Sequence, residues 1–199
     1  MAQSSASTAV AGRSGVYSSV RWIASIVAGS ALVAICAHIS VPLFYTPVPM
    51  TLQPFAVLLL GLLLDPAAAF AALALYLVEG AAGMPVFTPQ GPGGMLQLMG
   101  PTGGYLMSYP FVAALVSFLA RKLRGHKFAT GLIAAAAGNV LILASGTVWM
   151  SVVTHQHFST LLSLSVVPFL PGDALKVCAA AAIAAGWLSG RKMDETVGR

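Results

Sequence analysis

Hydrophobic residues in this chain are gathered into long runs and do not alternate with polar residues. Six runs are separated by charged segments or by segments rich in Gly and Pro, and they cover residues 22–40, 54–64, 66–80, 105–120, 131–153 and 171–189. At a rise of about 1.5 Å per residue, the first run is long enough to cross the hydrocarbon core of a bilayer. The second and third runs are shorter than a full span, so we expect them to tilt little, to extend into their loops or to lie in thinned bilayer. The pattern predicts six transmembrane helices.

The composition agrees with lipid as the solvent of this chain. Of its 199 residues, 58% are hydrophobic and 8% are charged, whereas a soluble domain carries about 25% charged residues. We therefore predict an all-α membrane protein. The net charge of +5 does not indicate nucleic acid as a partner, because the basic residues stand between hydrophobic segments. Cys36 and Cys178 lie inside apolar runs, which is typical of neither a disulfide framework nor a metal site.

The positive charges predict the orientation of the helices. Nine of the ten Lys and Arg residues fall into three clusters: Arg13, Arg21, Arg121, Lys122, Arg124, Lys127, Arg191, Lys192 and Arg199. With six spans all three clusters lie on one side, which the positive-inside rule assigns to the cytoplasm, whereas five or seven spans would place one cluster on the other side. The N- and C-termini are therefore predicted to be cytoplasmic.

The remaining segments complete the predicted organisation. Residues 1–20 are rich in Ser, Ala, Thr, Gly and Val, and we predict a disordered N-terminal tail there. Residues 21–190 then form a single six-helix transmembrane domain, and residues 191–199 form a cytoplasmic tail. The start of the first run also resembles a secretory signal, but that run ends in bulky residues without a small-residue cleavage site.

Three predicted loops face the outer side, and none of them contains Lys, Arg, Asp or Glu. They cover residues 41–53, 81–104 and 154–172, and the second has seven glycines and four prolines. Long uncharged loops are not needed for solubility, and loops on a rigid scaffold often carry binding residues. We therefore expect the functional site on the outer side.

Two ionisable residues stand at the outer end of the last run. Asp173 and Lys176 are three residues apart, so they share one helix face and can present an acceptor and a donor to one ligand. Ionisable groups in a span are costly and indicate a functional site. The alternative is that Asp173 caps the helix and Lys176 extends to the interface. That alternative leaves unexplained a cation near the positive end of a helix dipole.

Other polar residues give weaker indications. Glu79 also lies at the outer end of a run, where a carboxylate at the membrane surface is the simpler interpretation. His155 and His157 are two residues apart and do not share a helix face, so they do not predict a metal site. The glycines of residues 91–104 lack the Lys and the hydroxyl of a P-loop, and the sequence shows no paired catalytic groups. We therefore predict no cofactor, no metal and no enzymatic activity.

Four short motifs follow one another along the chain. They are PVPMTLQ (47–53), GMPVF (83–87), GPTGGY (100–105) and PGDALK (171–176). Together they resemble the biotin-specific substrate-binding (S) component of energy-coupling-factor (ECF) transporters, the BioY family, over about residues 22–190. The resemblance implies a six-helix membrane protein that captures biotin from the outer side. It also implies partners, namely a transmembrane coupling subunit and cytoplasmic ATPases, and only the ATPases use ATP.

The resemblance further implies a ligand role for Asp173 and Lys176, because an Asp and a Lys of the last motif contact the ligand in the family. Biotin has a ureido ring with two N–H donors and a carbonyl, and its valerate tail ends in a carboxylate. Asp173 can accept from a ureido N–H. Lys176 can either pair with the carboxylate or donate to the ureido carbonyl, and the sequence does not choose between these roles.

Four more residues are candidates for ligand contacts. Gln53 lies in the first matched motif, and Gln90 and Gln97 are the only amides in the loop before GPTGGY, where the family can contribute a polar side chain. Tyr105 is expected to pack on the apolar bicycle together with Phe44 and Tyr45 of loop 41–53. Anchoring of these aromatic side chains at the membrane interface is the alternative.

Ala24 and Ala28 form a small-x-x-x-small motif, which lets helices approach closely in lipid. It resembles the face by which S components dock onto the coupling subunit, and packing inside the bundle is the alternative. The leading prediction is high-affinity biotin capture for uptake by an ECF-type ABC transporter of the cell membrane. The alternatives are a stand-alone biotin transporter and an S component for another vitamin.

Overall fold

The computed structural model describes the backbone of residues 3–197 and the side chains of residues 19–157 and 159–190. Within residues 3–197 the chain forms eight helices and one short hairpin: α1 (Gln3–His38), β1 (Ser40–Val41), β2 (Met50–Thr51), α2 (Gln53–Leu63), α3 (Pro66–Ala81), α4 (Gly94–Met99), α5 (Gly103–Lys122), α6 (Lys127–Thr154), α7 (Phe158–Ser165) and α8 (Leu170–Val197). Each of the six predicted hydrophobic runs falls on a helix, namely α1, α2, α3, α5, α6 and α8. The prediction of an all-α membrane protein is confirmed.

The helices differ in their ability to cross a membrane. The Ser19–His38 part of α1, α5 and α6 are long and apolar enough to do so, and α7 with α8 forms a fourth candidate span bent by 50°. Helices α2 and α3 have only 11 and 16 residues. The count of six spans and the cytoplasmic termini therefore stay predictions.

The first and last helices extend beyond the predicted spans. Helix α1 begins at Gln3 and α8 ends at Val197, so their backbones include most of the segments for which the sequence predicts tails. No Pro interrupts the chain before residue 42, and Ala and Ser tolerate a helix far better than Pro does. Residues 1–2 and 198–199 lie outside the described part, and the predicted domain limits stay predictions.

The three loops that the sequence assigns to the outer side contain secondary structure that the hydrophobic pattern did not predict. Strands β1 and β2 pair antiparallel, with Ser40 opposite Thr51 and Val41 opposite Met50, while α4 and α7 are helices of six and eight residues. The Thr46 hydroxyl, at the turn of the hairpin, donates to the Leu164 carbonyl of α7 at 2.8 Å. The hairpin is thereby fastened to the segment that precedes α8.

Helices α2, α5, α6 and α8 pack around a common core, and α1 packs mainly against α3. At the start of α5 the GPTGGY motif allows an unusually close approach to α6. A Cβ on Gly104 would lie 2.6 Å from the Ser145 carbonyl oxygen, and one on Gly146 would lie 2.2 Å from the Tyr105 ring. These two glycines let α5 and α6 meet closely and hold Tyr105 between them.

Candidate functional site

A small cavity of about 40 Å³ lies at the end of the bundle where α2, α5 and α8 begin. Its walls come from the hairpin, from the segment around α4, and from α2, α5, α6 and α8. Its lining includes Gln53, Gln97, Tyr105, Ile142, Asp173 and Lys176. Five of the six predicted ligand-binding residues therefore line one space, although they come from four helices distant in sequence.

Asp173 and Lys176 form a buried ion pair in this cavity. The Lys176 Nζ donates to Asp173 Oδ1 at 2.9 Å. Lys176 is only 8% exposed and Asp173 only 3% exposed. Helix α8 begins at Leu170, so Asp173 lies within the first turn and is not the capping residue. Because Lys176 is buried and paired, it does not extend to the interface. The alternative of a cap and an interfacial lysine is therefore wrong.

Asn139 of α6 completes the polar cluster and was not among the residues predicted from the sequence. Its Nδ2 donates to Asp173 Oδ2 at 3.2 Å, so each carboxylate oxygen has one side-chain donor and keeps room for another. The Asn139 Oδ1 is buried without a partner among the described residues. A signal was available, because Asn139 is the only Asn in the chain and lies in the middle of a hydrophobic run.

Gln53 lines the cavity at the start of α2 and is 3% exposed. Its Nε2 donates to the Tyr76 hydroxyl of α3, and its Oε1 accepts from the Thr51 hydroxyl of β2 at 3.1 Å. Its amide therefore joins α2 to α3 and to the hairpin. Gln53 can still contact a ligand through its remaining hydrogen-bonding capacity.

The two glutamines of the second outer loop have different positions. Gln97 of α4 lines the cavity and is 1% exposed. Its Oε1 accepts from the Gly93 backbone N–H at 3.1 Å, and its Nε2 is buried without a partner among the described residues. Gln90 is exposed and lies outside the cavity lining. It accepts from the Ser40 hydroxyl at 2.6 Å and from the Thr88 hydroxyl, and so it ties the segment before α4 to β1.

Tyr105 forms part of the aromatic wall of the cavity. Its hydroxyl donates to the Ser165 carbonyl of α7 at 2.9 Å, and the ring is held against Gly146. Tyr109, one helical turn further along α5, also lines the cavity and was missed. Phe44 and Tyr45 are exposed at the hairpin turn and do not line the cavity.

The charges of the cavity balance. Among the described residues that line the cavity, only Asp173 and Lys176 carry a formal charge. The other carboxylate at this end of the bundle, Glu79, is half-buried, accepts from the Ser30 hydroxyl of α1 and is not part of the lining. Glu79 therefore joins α3 to α1.

Ala24 and Ala28 are both exposed on α1. Neither is packed inside the described bundle, which excludes internal packing as the reason for this motif. Trp22 and Val27 of the same helix are exposed as well.

Comparisons with known proteins identify the family of this chain. The sequence model of the BioY family matches residues 6–192. The chain is 38% identical to the biotin transporter BioY of Thermotoga maritima, over 78% of this chain and 88% of that protein. It is 34% identical to the biotin transporter BioY2 of Lactococcus lactis, over 74% of this chain and 79% of that protein.

The fold is also similar to a solved structure. The crystal structure at 2.1 Å of the S-component for biotin from an ECF-type ABC transporter superimposes with a TM-score of 0.81. The match covers 87% of this chain and 93% of that chain, at 25% sequence identity. On the match of nearly the whole sequence and of the fold, this chain belongs to the BioY family.

Proposed function

We propose that this protein captures biotin and serves as the substrate-specific subunit of an ECF-type ABC transporter in the cell membrane. The names of its relatives and of the similar structure support biotin as the ligand. The observation that carries the proposal is the buried pair of Asp173 and Lys176, which lines a cavity between the helices. Burying a carboxylate and an ammonium away from water costs free energy of desolvation. Binding of a polar ligand explains why the protein keeps such a pair.

The ureido ring of biotin suits this cluster. Asp173 has unused lone pairs on both oxygens and accepts from a ureido N–H. Lys176 has two further N–H donors, one of which reaches the ureido carbonyl. The apolar bicycle and tail then lie along hydrophobic lining residues such as Ile142, and the Tyr105 ring closes one side. Such a ligand satisfies the polar cluster and buries its own apolar surface at the same time.

We further propose that all six hydrophobic helices cross the membrane with both termini in the cytoplasm. The short helices α2 and α3 then span a locally thinner region, enclosed by α1 and α5. This topology places the cavity at the outer face and the basic segment 121–127 at the inner face. It makes the cavity accessible to biotin outside the cell.

Transport in this proposal requires partner subunits. The sequence has no P-loop, so ATP is bound and hydrolysed by cytoplasmic ATPases, and a transmembrane coupling subunit connects them to this protein. The exposed face of Ala24 and Ala28 is the proposed docking surface, because small residues let a second helix approach closely in lipid. A face of this kind on the first helix fits a partner within the membrane.

Titration of the purified, detergent-solubilised protein with biotin and with unrelated vitamins tests the proposal. We expect saturable binding of biotin at one site and no competition by the other vitamins. Tighter binding of another vitamin would show that this vitamin, and not biotin, is the substrate. Uptake by cells that express this chain without partner subunits would instead identify a stand-alone transporter.

A further inference from the structure

The charge balance of the cavity bears on how the acidic tail of a ligand is recognised. The Lys176 ammonium is 2.9 Å from the Asp173 carboxylate, and both are almost completely buried. No other described residue of the lining carries a formal charge. If a ligand carboxylate replaced Asp173 as the partner of Lys176, Asp173 would be buried without its counter-ion. Removing one partner from a buried ion pair is strongly unfavourable.

A neutral donor is available elsewhere in the same cavity. The Gly93 N–H fixes the orientation of the Gln97 amide by donating to its Oε1, so the atom left without a partner is the donor Nε2. An unpaired buried N–H₂ group is costly and gains from any acceptor that a ligand supplies. The amide N–H donates to a carboxylate oxygen and, equally, to the carbonyl oxygen of an amide or ester.

We infer that the site binds the ureido end of the ligand through Asp173 and Lys176 and binds the end of its tail through the neutral Gln97 donor. The site therefore binds biotin derivatives with an uncharged tail about as well as biotin. The substrate class is then biotin together with its amides and small esters. This inference rests on the proposed function. The inference extends the proposed function, because it assigns the recognition of the tail to Gln97 and widens the substrate class.

Binding of biotin and biotinamide to the purified protein tests the inference, since the two ligands have the same shape and differ in charge. We expect their dissociation constants to agree within about threefold. If Lys176 paired with the carboxylate, the loss of that charge-assisted bond would weaken biotinamide about ten- to a hundredfold. That result would overturn the inference.

The Gln97→Glu variant adds a second test. Its side chain keeps an oxygen for the Gly93 N–H, but it places a carboxylate beside the tail. We expect biotin to lose affinity at least about tenfold more than biotinamide does, because only biotin suffers charge repulsion. An equal loss for both ligands would show that the tail is not at Gln97 and would refute the inference.

The proposed function and the inferred recognition of the tail can fail separately in this experiment. Absence of biotin binding to the parent protein would reject the proposed function itself. Tight binding of biotin with weak binding of biotinamide would leave the function intact and reject only the neutral recognition of the tail.

Discussion

The ion pair of Asp173 and Lys176 provides a test that separates a structural role from ligand binding. Three variants are compared with the parent: Asp173→Asn, Lys176→Met, and the double variant that carries both substitutions. Each single variant leaves one buried charge without its partner, whereas the double variant leaves none. Asn and Met are close in size to the residues that they replace, so packing changes little.

The magnitudes follow from the burial of the pair. Removing one partner of a buried pair costs about 3–5 kcal/mol, whereas replacing both with neutral groups of similar volume is often neutral or stabilising. For a chain of this size, a loss of 1 kcal/mol lowers the midpoint of thermal unfolding by about 2–4 °C. We therefore expect both single variants to unfold at clearly lower temperature than the parent. The double variant should regain most of that stability.

Biotin affinity is expected to follow a different order. A hydrogen bond to a charged group contributes about 1.5–3 kcal/mol, which corresponds to about ten- to a hundredfold in the dissociation constant. Because Asp173 and Lys176 each contact the ureido ring in our proposal, the double variant should bind biotin most weakly although it is more stable than either single variant.

Thermal unfolding in detergent and isothermal titration with biotin are the two measurements. Stability and affinity should change in opposite directions between the single variants and the double variant. If the double variant bound biotin as tightly as the parent, the pair would serve only to hold α8 in place, and the ligand role of Asp173 and Lys176 would be refuted. The conservative Asp173→Glu variant serves as a control that keeps the charge but shifts its position.

Three further predictions concern topology, docking and packing. After replacement of both native cysteines, a cysteine introduced at Gly125 should react in intact cells only with membrane-permeant thiol reagents. A cysteine introduced at Gln90 should also react with impermeant reagents. The reverse pattern would contradict the proposed orientation. The Ala28→Trp substitution should abolish biotin uptake by the complete transporter but leave biotin binding to the isolated protein unchanged, and a loss of binding would place this residue inside the bundle. The Gly146→Ala substitution should lower the unfolding temperature, because its methyl group would enter the space of the Tyr105 ring and overpacking costs about 1–3 kcal/mol. Its matched control is Gly186→Ala, where no atom lies within 4 Å of the added Cβ, and equal effects of the two substitutions would refute the packing argument.

The sequence predicted the helices well where hydrophobicity alone determines them. All six runs are helical, because in lipid a backbone satisfies its hydrogen bonds most simply within a helix. The predictions were incomplete in the long loops, where α4, α7 and the hairpin depend on Gly, Pro and long-range contacts such as that of Thr46 with Leu164. Periodicity carries no information about such contacts.

The candidate site was also predicted only in part from the sequence. Asp173 and Lys176 are conspicuous because charges are rare in spans, and their spacing along one helix was sufficient to predict that they meet. Asn139 contacts Asp173 from a different helix, and a single sequence does not show which helices are neighbours. Gln90 and Gln97 were equivalent candidates in the sequence, and only the fold distinguishes the exposed side chain from the buried one.

The hydrogen bonds of the hairpin have a consequence for the kinetics of ligand exchange. Ser40 connects the hairpin to Gln90, and Thr46 connects it to Leu164, so three segments around the cavity are held to one another. A cavity of about 40 Å³ has room for only a few water molecules, and a bicyclic ligand requires these segments to move apart. Because they are linked, we expect them to separate together in a single step. Association should then approach a maximum rate at high biotin concentration, set by the frequency of this opening and not by diffusion.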